Sequence, residues 1–431
     1  MKELAEKIIK LSLKKGATQA RVCVSKGMQT SIEYDGAEID SICSSGIGFV
    51  ELTLFIDGRR GVFSTYLEEN MEDFVTRSVA FTKIGTPESE YCLPDRERCW
   101  SGLSSEDLEQ YDPEFPTLGA EEKKRILEEA VSKADLAHPK LLNLTTSWED
   151  AYKEDYTLDS NGAAGLEKSS VFSLGASASV KGQGDAHPGD SWYDGGVFRK
   201  DTDILCARKA LDMALERIPS RNIKGGRFNL ILDSSVSARM VSPILAALSG
   251  SAIQQHSSFL AGSLGRKMFP EKLCIADNPF VRGRVGARHF DFELVRTRAS
   301  DIISEGCVQM YFLSSYYARK LGMEPTISTP TSVYFKNTDC GNLTEMMSAM
   351  GNGILVTDFI GGNTNPVTGD FSYGIEGFYF ENGKKSFPVV EMNITGNLLS
   401  LWAKLALVGN DARKCTPWQL PSIGFTDIDI I

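Results

Sequence analysis

The chain has 431 residues, 46 basic and 57 acidic, for a formal net charge of −11. That balance excludes a general affinity for nucleic-acid backbones, and a hydrophobic content of 42 % excludes wholesale disorder. At roughly 100–200 residues per domain, the length implies two domains. No apolar run reaches the roughly 18 residues a membrane-spanning helix needs, so no membrane association is expected. The opening MKELAEKIIKLSLKKG reads as an amphipathic helix and not as a secretory signal, since it lacks an unbroken apolar stretch and a small-residue cleavage site. A cytoplasmic location is expected. Nine cysteines without a CxxC pair are expected as free thiols in a reducing compartment. The four histidines, His138, His187, His256 and His289, form neither HExxH nor an i,i+4 pair. This disfavours a self-contained His-ligated zinc hydrolase.

In chain order, the apolar stripe of Leu4, Ile8, Ile9 and Leu11 predicts a helix over 2–15, stopped at Gly16. Short strands follow at 20–25, 30–34, 39–43, 49–56 and 60–66. Asp35-Gly36 and Asp57-Gly58 supply hairpin turns. A second helix spans 68–82. Residues 86–119 hold four prolines and little periodicity, and so form either a strap pinned across the surface or a functional loop. The pattern then returns: a helix at 120–137, strands at 142–148, 154–159, 166–180 and 191–198 with a turn at Asn161-Gly162, and a helix at 201–217. Helix, meander, helix thus occurs twice, compatible with an internal duplication. The fold class is α+β: an N-terminal domain over 1–218, with an antiparallel sheet and helices, and a β-rich C-terminal domain over 227–431.

The C-terminal part opens with a strand at 228–232. A helix over 236–248 follows, with Ser234 and Ser235 as candidate caps. Strands are predicted at 273–276, 292–296, 309–313, 332–336, 353–359, 374–381 and 388–394. The last helix is predicted over 397–407.

No Walker loop and no GxSxG elbow occur. Arg282, Arg284 and Arg288 crowd one Gly-rich loop with His289 and are candidates for binding an anion or a carboxylate terminus; a solvated loop is the equal alternative. Gly361, Gly362, Asn365, Asp370, Ser372 and Tyr373 lie in a Gly/Asn-rich stretch that feeds two strands. Such residues let backbone approach backbone, as strand addition by an extended peptide requires. A tightly turned sheet corner is the plainer reading of the same composition.

Those residues also carry a resemblance. NPVTGDFSYGIEGFYFENGK (365–384), followed by FPVVEMNITGNLLSLWAKLALVGND (387–411), resembles the C-terminal signature of the TldD/PmbA family. The likeness continues in YFLSSYYARKLGMEPT (311–326), SSFLAGSLGRKMF (257–269) and DGAEIDSICSSGIGFVELTLFIDGRRGVFST (35–65). The resemblance implies a two-domain α+β protein of a proteolytic system. A TldD-type subunit carries HExxxH on a C-terminal-domain helix and binds a catalytic metal, expected to be zinc. A PmbA/TldE-type subunit pairs with it and lacks the motif. The pair degrades or trims unfolded peptides, and the older name, modulator of DNA gyrase, reflects an indirect link to gyrase-directed toxins.

This chain sorts with the second type. The corresponding helix reads ILAALSGSAIQQH (244–256), placing Ala246, Ala247 and Ser251 at the motif positions. No Glu and no second His lies in 233–269. The implied reading is a subunit with no catalytic residue, metal ligand or cofactor of its own. It would bind peptides beside a TldD-type partner, or form a homodimer without it, and contact no nucleic acid directly. The alternatives are a stand-alone metallohydrolase using His256, His289 and a Cys, and a binding module acting on DNA gyrase or a toxin–antitoxin pair.

Overall fold

The structure, a computed structural model, describes residues 1–35, 38–100, 102 and 107–431. Helix α1 (Lys2–Lys14) is followed by three antiparallel strands, β1 (Gln19–Asp35), β2 (Glu38–Ile56) and β3 (Arg59–Tyr66), and by helix α2 (Met71–Lys83). Asn70 caps α2 by accepting from the backbone N–H groups of Glu72 and Asp73. After a long connection the order repeats as α3 (Ala120–Ser132), β4 (Leu141–Asp159), β5 (Ala164–Val180), β6 (Gly189–Gly196) and α4 (Cys206–Glu216). The six strands form one sheet in the order β3-β2-β1-β4-β5-β6. The two halves therefore meet in the antiparallel β1–β4 pair, and the repetition read from the sequence recurs in the topology. Of the expected 35–36 turn, Gly36 lies outside the described residues.

The expected short strands merge. Residues 20–25 and 30–34 are one strand, as are 39–43 with 49–56 and 142–148 with 154–159. The reason is where the helices sit. The first core joins α1 and α2 to Val22 and Val24 of β1, Leu52 and Leu54 of β2, and Tyr156 of β4. The second joins α3 and α4 to Ile32 and Tyr34 of β1, Trp148 of β4, and Phe172 and Leu174 of β5. Between the two cores, Lys26 and Met28 of β1 are exposed. Apolar alternation lapses there while the backbone ladder continues, pairing Lys26 with Gly48 and Glu154. A buried ion pair, Lys123 Nζ to Asp150 Oδ2 at 2.6 Å, fastens α3 to β4.

The connection after α2 is a strap holding the two domains together. Trp100 N–H donates to the Leu294 carbonyl at 2.7 Å, and Arg296 Nε donates to the Cys99 carbonyl at 3.0 Å. Arg319 donates to the carbonyls of Glu90, Cys92 and Leu93 at 2.8–3.2 Å, and Lys320 pairs with Glu88 at 2.7 Å.

The C-terminal part runs β7 (Gly226–Leu232), α5 (Ala238–Ala247), α6 (Gly250–Gln254), β8 (Ile275–Asp277), β9 (Ser300–Ser304), β10 (Cys307–Val308), α7 (Ser315–Leu321), β11 (Val333–Phe335) and α8 (Leu343–Met350). It continues with β12 (Gly353–Thr364), β13 (Asp370–Glu381), β14 (Lys384–Asn397), α9 (Leu398–Trp402), β15 (Leu405–Val408) and β16 (Ile423–Ile430). Strands β14-β13-β12-β7-β16-β15 form a sheet, and Ile394 pairs with Ile430 to join β14 to β16. Five strands thus close on themselves, which removes the exposed edges an open sheet would leave. Strands β8 to β11 form a separate small sheet.

Several expectations change here. The helix expected over 397–407 stops at Trp402, and Leu405–Val408 instead pairs with β16. The helix expected over 236–248 ends at Ala247 and a second short helix starts past Ser249, whose hydroxyl accepts from Ala252 N–H. The break is fixed from outside: Gly250 N–H donates to the Phe312 carbonyl and Phe312 N–H to that of Leu248, both at 2.8 Å. Residues 292–296 and 309–313 make isolated bridges and no strand. Helices α7 and α8 were not expected from periodicity, being only two turns long.

Candidate functional site

Strands β12 and β13 form a hairpin whose tip is built by side chains of the Gly/Asn-rich stretch. Asn365 Oδ1 accepts from Val367 N–H at 2.9 Å, and Asn365 N–H donates to the Asp370 carbonyl at 2.7 Å. Thr368 Oγ1 and Asn397 Nδ2 both donate to the Asp370 carboxylate, at 2.7 and 2.9 Å. These two bonds hold that carboxyl below its ordinary range. The carbonyl of Pro366 accepts from Phe259 N–H at 3.0 Å, so the tip also leans on the segment after α6.

Below the tip the β12–β13 ladder slips. Ile360 pairs with Gly374 and Asn363 with Ser372, leaving Gly361 and Gly362 as a bulge. A Cβ on Gly362 would lie 2.1 Å from the Ser372 carbonyl oxygen, whereas one on Gly361 would meet nothing within 4 Å. Tyr373 is buried, its hydroxyl 2.6 Å from Thr364 Oγ1 and its ring against Phe359 and Phe371. Arg239, in the first turn of α5, donates to the Gly362 carbonyl at 3.1 Å and covers the Tyr373 ring. The six residues singled out from the sequence are thus brought together at one hairpin end, with Arg239 and Asn397 as partners that the sequence did not suggest. Gly361, Asn365 and Ser372 are exposed there.

Helix α5 runs beside this hairpin. Of the three motif positions, Ala246 is exposed, Ala247 is part of the C-terminal core, and Ser251 is half-buried with its hydroxyl 3.3 Å from that of Ser249. Methyl groups offer no lone pair to a metal, and no general base stands among them, so this donor set does not fit a hydrolytic metal ion. Among the described residues, no three His, Cys, Asp or Glu side chains are grouped to hold a metal ion. His256 is exposed after α6 at φ 54°, and His289 stacks on Trp100 with ring centroids 5.1 Å apart.

The three arginines have separate partners. Arg282 faces Glu109 at 3.7 Å. Arg284 donates to Ser332 Oγ and, at 2.6 Å, to Gln419 Oε1, and burial lowers its pKa. Arg288 donates to Thr329 Oγ1 at 3.2 Å, while its buried Nε has no hydrogen-bond partner. Arg288 also lines a cleft of about 960 Å³ against β4 and β5, shared with Glu167. Burial pushes the Glu167 carboxyl up to about 7, with Arg288 opposing. Glu167 was missed because an acid on the polar side of a strand reads as solvent-facing.

Comparison with known proteins bears directly on this geometry. Residues 225–431 match the PmbA/TldA metallopeptidase C-terminal domain, and residues 113–218 match the PmbA/TldA metallopeptidase central domain. A crystal structure of a proposed modulator of DNA gyrase from Bacteroides thetaiotaomicron is 34 % identical with a TM-score of 0.96, over 100 % of this chain and 98 % of that one. A metalloprotease PmbA homolog from Haemophilus influenzae is 28 % identical over 96 % of this chain and 92 % of its own length. TldE from Thermococcus kodakarensis, 19 % identical, shares the fold with a TM-score of 0.86 over 99 % of both chains. With its C-terminal signature standing as the hairpin beside α5, the chain belongs to the TldD/PmbA family.

Proposed function

We propose that the chain is the PmbA/TldE-type subunit of a metalloprotease complex that degrades or trims unfolded peptides, itself non-catalytic and peptide-binding. The observation that carries this reading is α5 with its continuation α6. The helix stands beside the signature hairpin and carries Ala246, Ala247 and Ser251 at the positions that the resemblance assigns to the metal motif. The metal, expected to be zinc, then belongs to a TldD-type partner in a heterodimer. The exposed Gly361–Asn365 segment is the assigned peptide contact, because a bulged, glycine-bearing strand leaves room for an extended chain to approach its backbone.

The test is reconstitution. This chain and a TldD-type protein are expected to co-purify when co-expressed. Casein, as an unfolded substrate, is expected to be cleaved only when both are present, and a chelator should stop the cleavage. Full activity of this chain alone, surviving chelator, overturns the reading. Stoichiometric metal in this chain purified without a partner would instead favour a stand-alone metallohydrolase.

A further inference from the structure

The N-terminal sheet carries its helices on one face, and the loop around Phe290 docks on the other. The fit there is close: a Cβ on Gly165 of β5 would lie 2.3 Å from the Phe290 ring. Beside this contact lies the cleft shared by Glu167 and Arg288. Its floor follows from strand register. Asp155 of β4 pairs with Glu167 of β5, and Lys153 pairs with Ser169, so all four side chains stand on one face of the sheet. Lys153 neutralises Asp155 at 2.7 Å, leaving Asp155 Oδ1 buried without a hydrogen-bond partner. No residue among those described makes a hydrogen bond or ion pair with the Glu167 carboxyl. Across the cleft, the Arg288 guanidinium is anchored by one nitrogen to Thr329 and keeps Nε unpartnered. Ile47, Val171 and Phe290 supply apolar wall.

A half-buried acid and a half-buried guanidinium that face one cleft without pairing are each left poorly solvated. A ligand carrying both an ammonium and a carboxylate would satisfy both. We propose that this cleft binds short apolar peptides with free termini: Arg288 takes the α-carboxylate, Glu167 with Asp155 takes the α-ammonium, and an apolar side chain rests on Ile47, Val171 and Phe290. A volume of about 960 Å³ suits a molecule of dipeptide or tripeptide size. The assignment deepens the peptide-handling reading and rests on it for its sense, since it gives the complex a place for its small cleavage products.

The experiment is calorimetric titration of the full chain with leucyl-phenylalanine, its C-terminal amide and its N-acetyl derivative. The free dipeptide is expected to bind at one site per chain, and each blocked form at least tenfold more weakly. Arg288→Gln should weaken the free dipeptide at least tenfold without further weakening the amide. Glu167→Gln should do the same with respect to the acetyl derivative. Val171→Trp, a change at an exposed strand position, fills the cleft without altering either charged group and should abolish binding while far-UV circular dichroism and the thermal midpoint stay native. Equal binding of free and blocked peptides, an uninhibited Val171→Trp protein, or no heat of binding up to millimolar dipeptide overturns the proposal. Because no partner subunit is present, failure here with a functional heterodimer condemns only the cleft. Binding here without any heterodimer condemns only the subunit reading.

Discussion

Arg239 on α5 donates to the Gly362 carbonyl at 3.1 Å, and its guanidinium carbon lies 4.8 Å from the centre of the Tyr373 ring. One side chain therefore ties the bulge of the signature hairpin to helix α5. Both glycines of the bulge have positive φ, 69° at Gly361 and 90° at Gly362, but only the second is also crowded by the Ser372 carbonyl. Gly361→Ala is expected to cost about 1 kcal/mol, the ordinary penalty for left-handed backbone with a Cβ. Gly362→Ala should cost roughly 2–4 kcal/mol, because steric displacement of the ladder is added to that penalty. Urea unfolding of the two variants checks this, and equal losses would show that the bulge is not packed as described.

Removing one partner of the buried Lys123–Asp150 pair leaves the other charge stranded. Asp150→Ala is expected to destabilise the protein by about 3–5 kcal/mol, whereas the double change Lys123→Met with Asp150→Leu should recover part of that, leaving a loss of about 1–3 kcal/mol because the buried Trp148 indole N–H, which also donates to Asp150, loses its acceptor. Denaturant midpoints of the single and double variants decide it: a double variant as unstable as the single one would refute the account.

Arg319 holds three strap carbonyls, those of Glu90, Cys92 and Leu93. Arg319→Ala should cost about 2–3 kcal/mol, the range for hydrogen bonds to a charged donor. It should also speed tryptic cleavage after Arg96 and Arg98 under native conditions. An unchanged cleavage pattern would mean that the strap is held by its other contacts alone.

Glu167 gives a pH prediction. Its folded-state pKa is raised from 4.5 to about 7 by burial, so the folded chain binds this proton more tightly than the unfolded chain. The stability linked to that proton is full below pH 4.5 and is lost as pH rises to about 7. Arg288, Asp155, Lys153 and Asp291 act on the carboxyl and are common to the native protein and the variant. The melting temperature of Glu167→Gln, relative to the native protein, is therefore expected to rise from about pH 4.5 to about pH 7.5. A difference that stays flat across that window would show a solvated carboxylate.

How much of this could be read beforehand depends on where the determining contacts come from. The turns at Asp57-Gly58, Asn161-Gly162 and Asn382-Gly383 were legible because the dihedral demand is met within the dipeptide itself. The full length of β1 and β4 was not, since apolar alternation reports faces covered by a core, whereas the middle of β1 is exposed and that of β4 only half-buried. Helix α8 buries only Met346 and Met347 and offers little periodicity, although its Asn342 and Glu345 capping box was present in the sequence. At the hairpin, the residues that shape the tip lie within one stretch and could be listed. Arg239 could not, because the carbonyl it serves is 123 residues away. Glu167 and Arg288 are joined only by the docking of the two domains.

The long strands also decide what can fold by itself. The second repeat corresponds to the family's central domain at 113–218, yet its helices close over Ile32 and Tyr34 of β1, and the first repeat's helices close over Tyr156 of β4. Each repeat thus lends a strand end to the other's interior. Severed at the midpoint, both pieces would expose apolar surface that only the other covers, and neither would melt as a separate cooperative unit. What duplicates in topology is inseparable in thermodynamics: the two repeats unfold together or not at all.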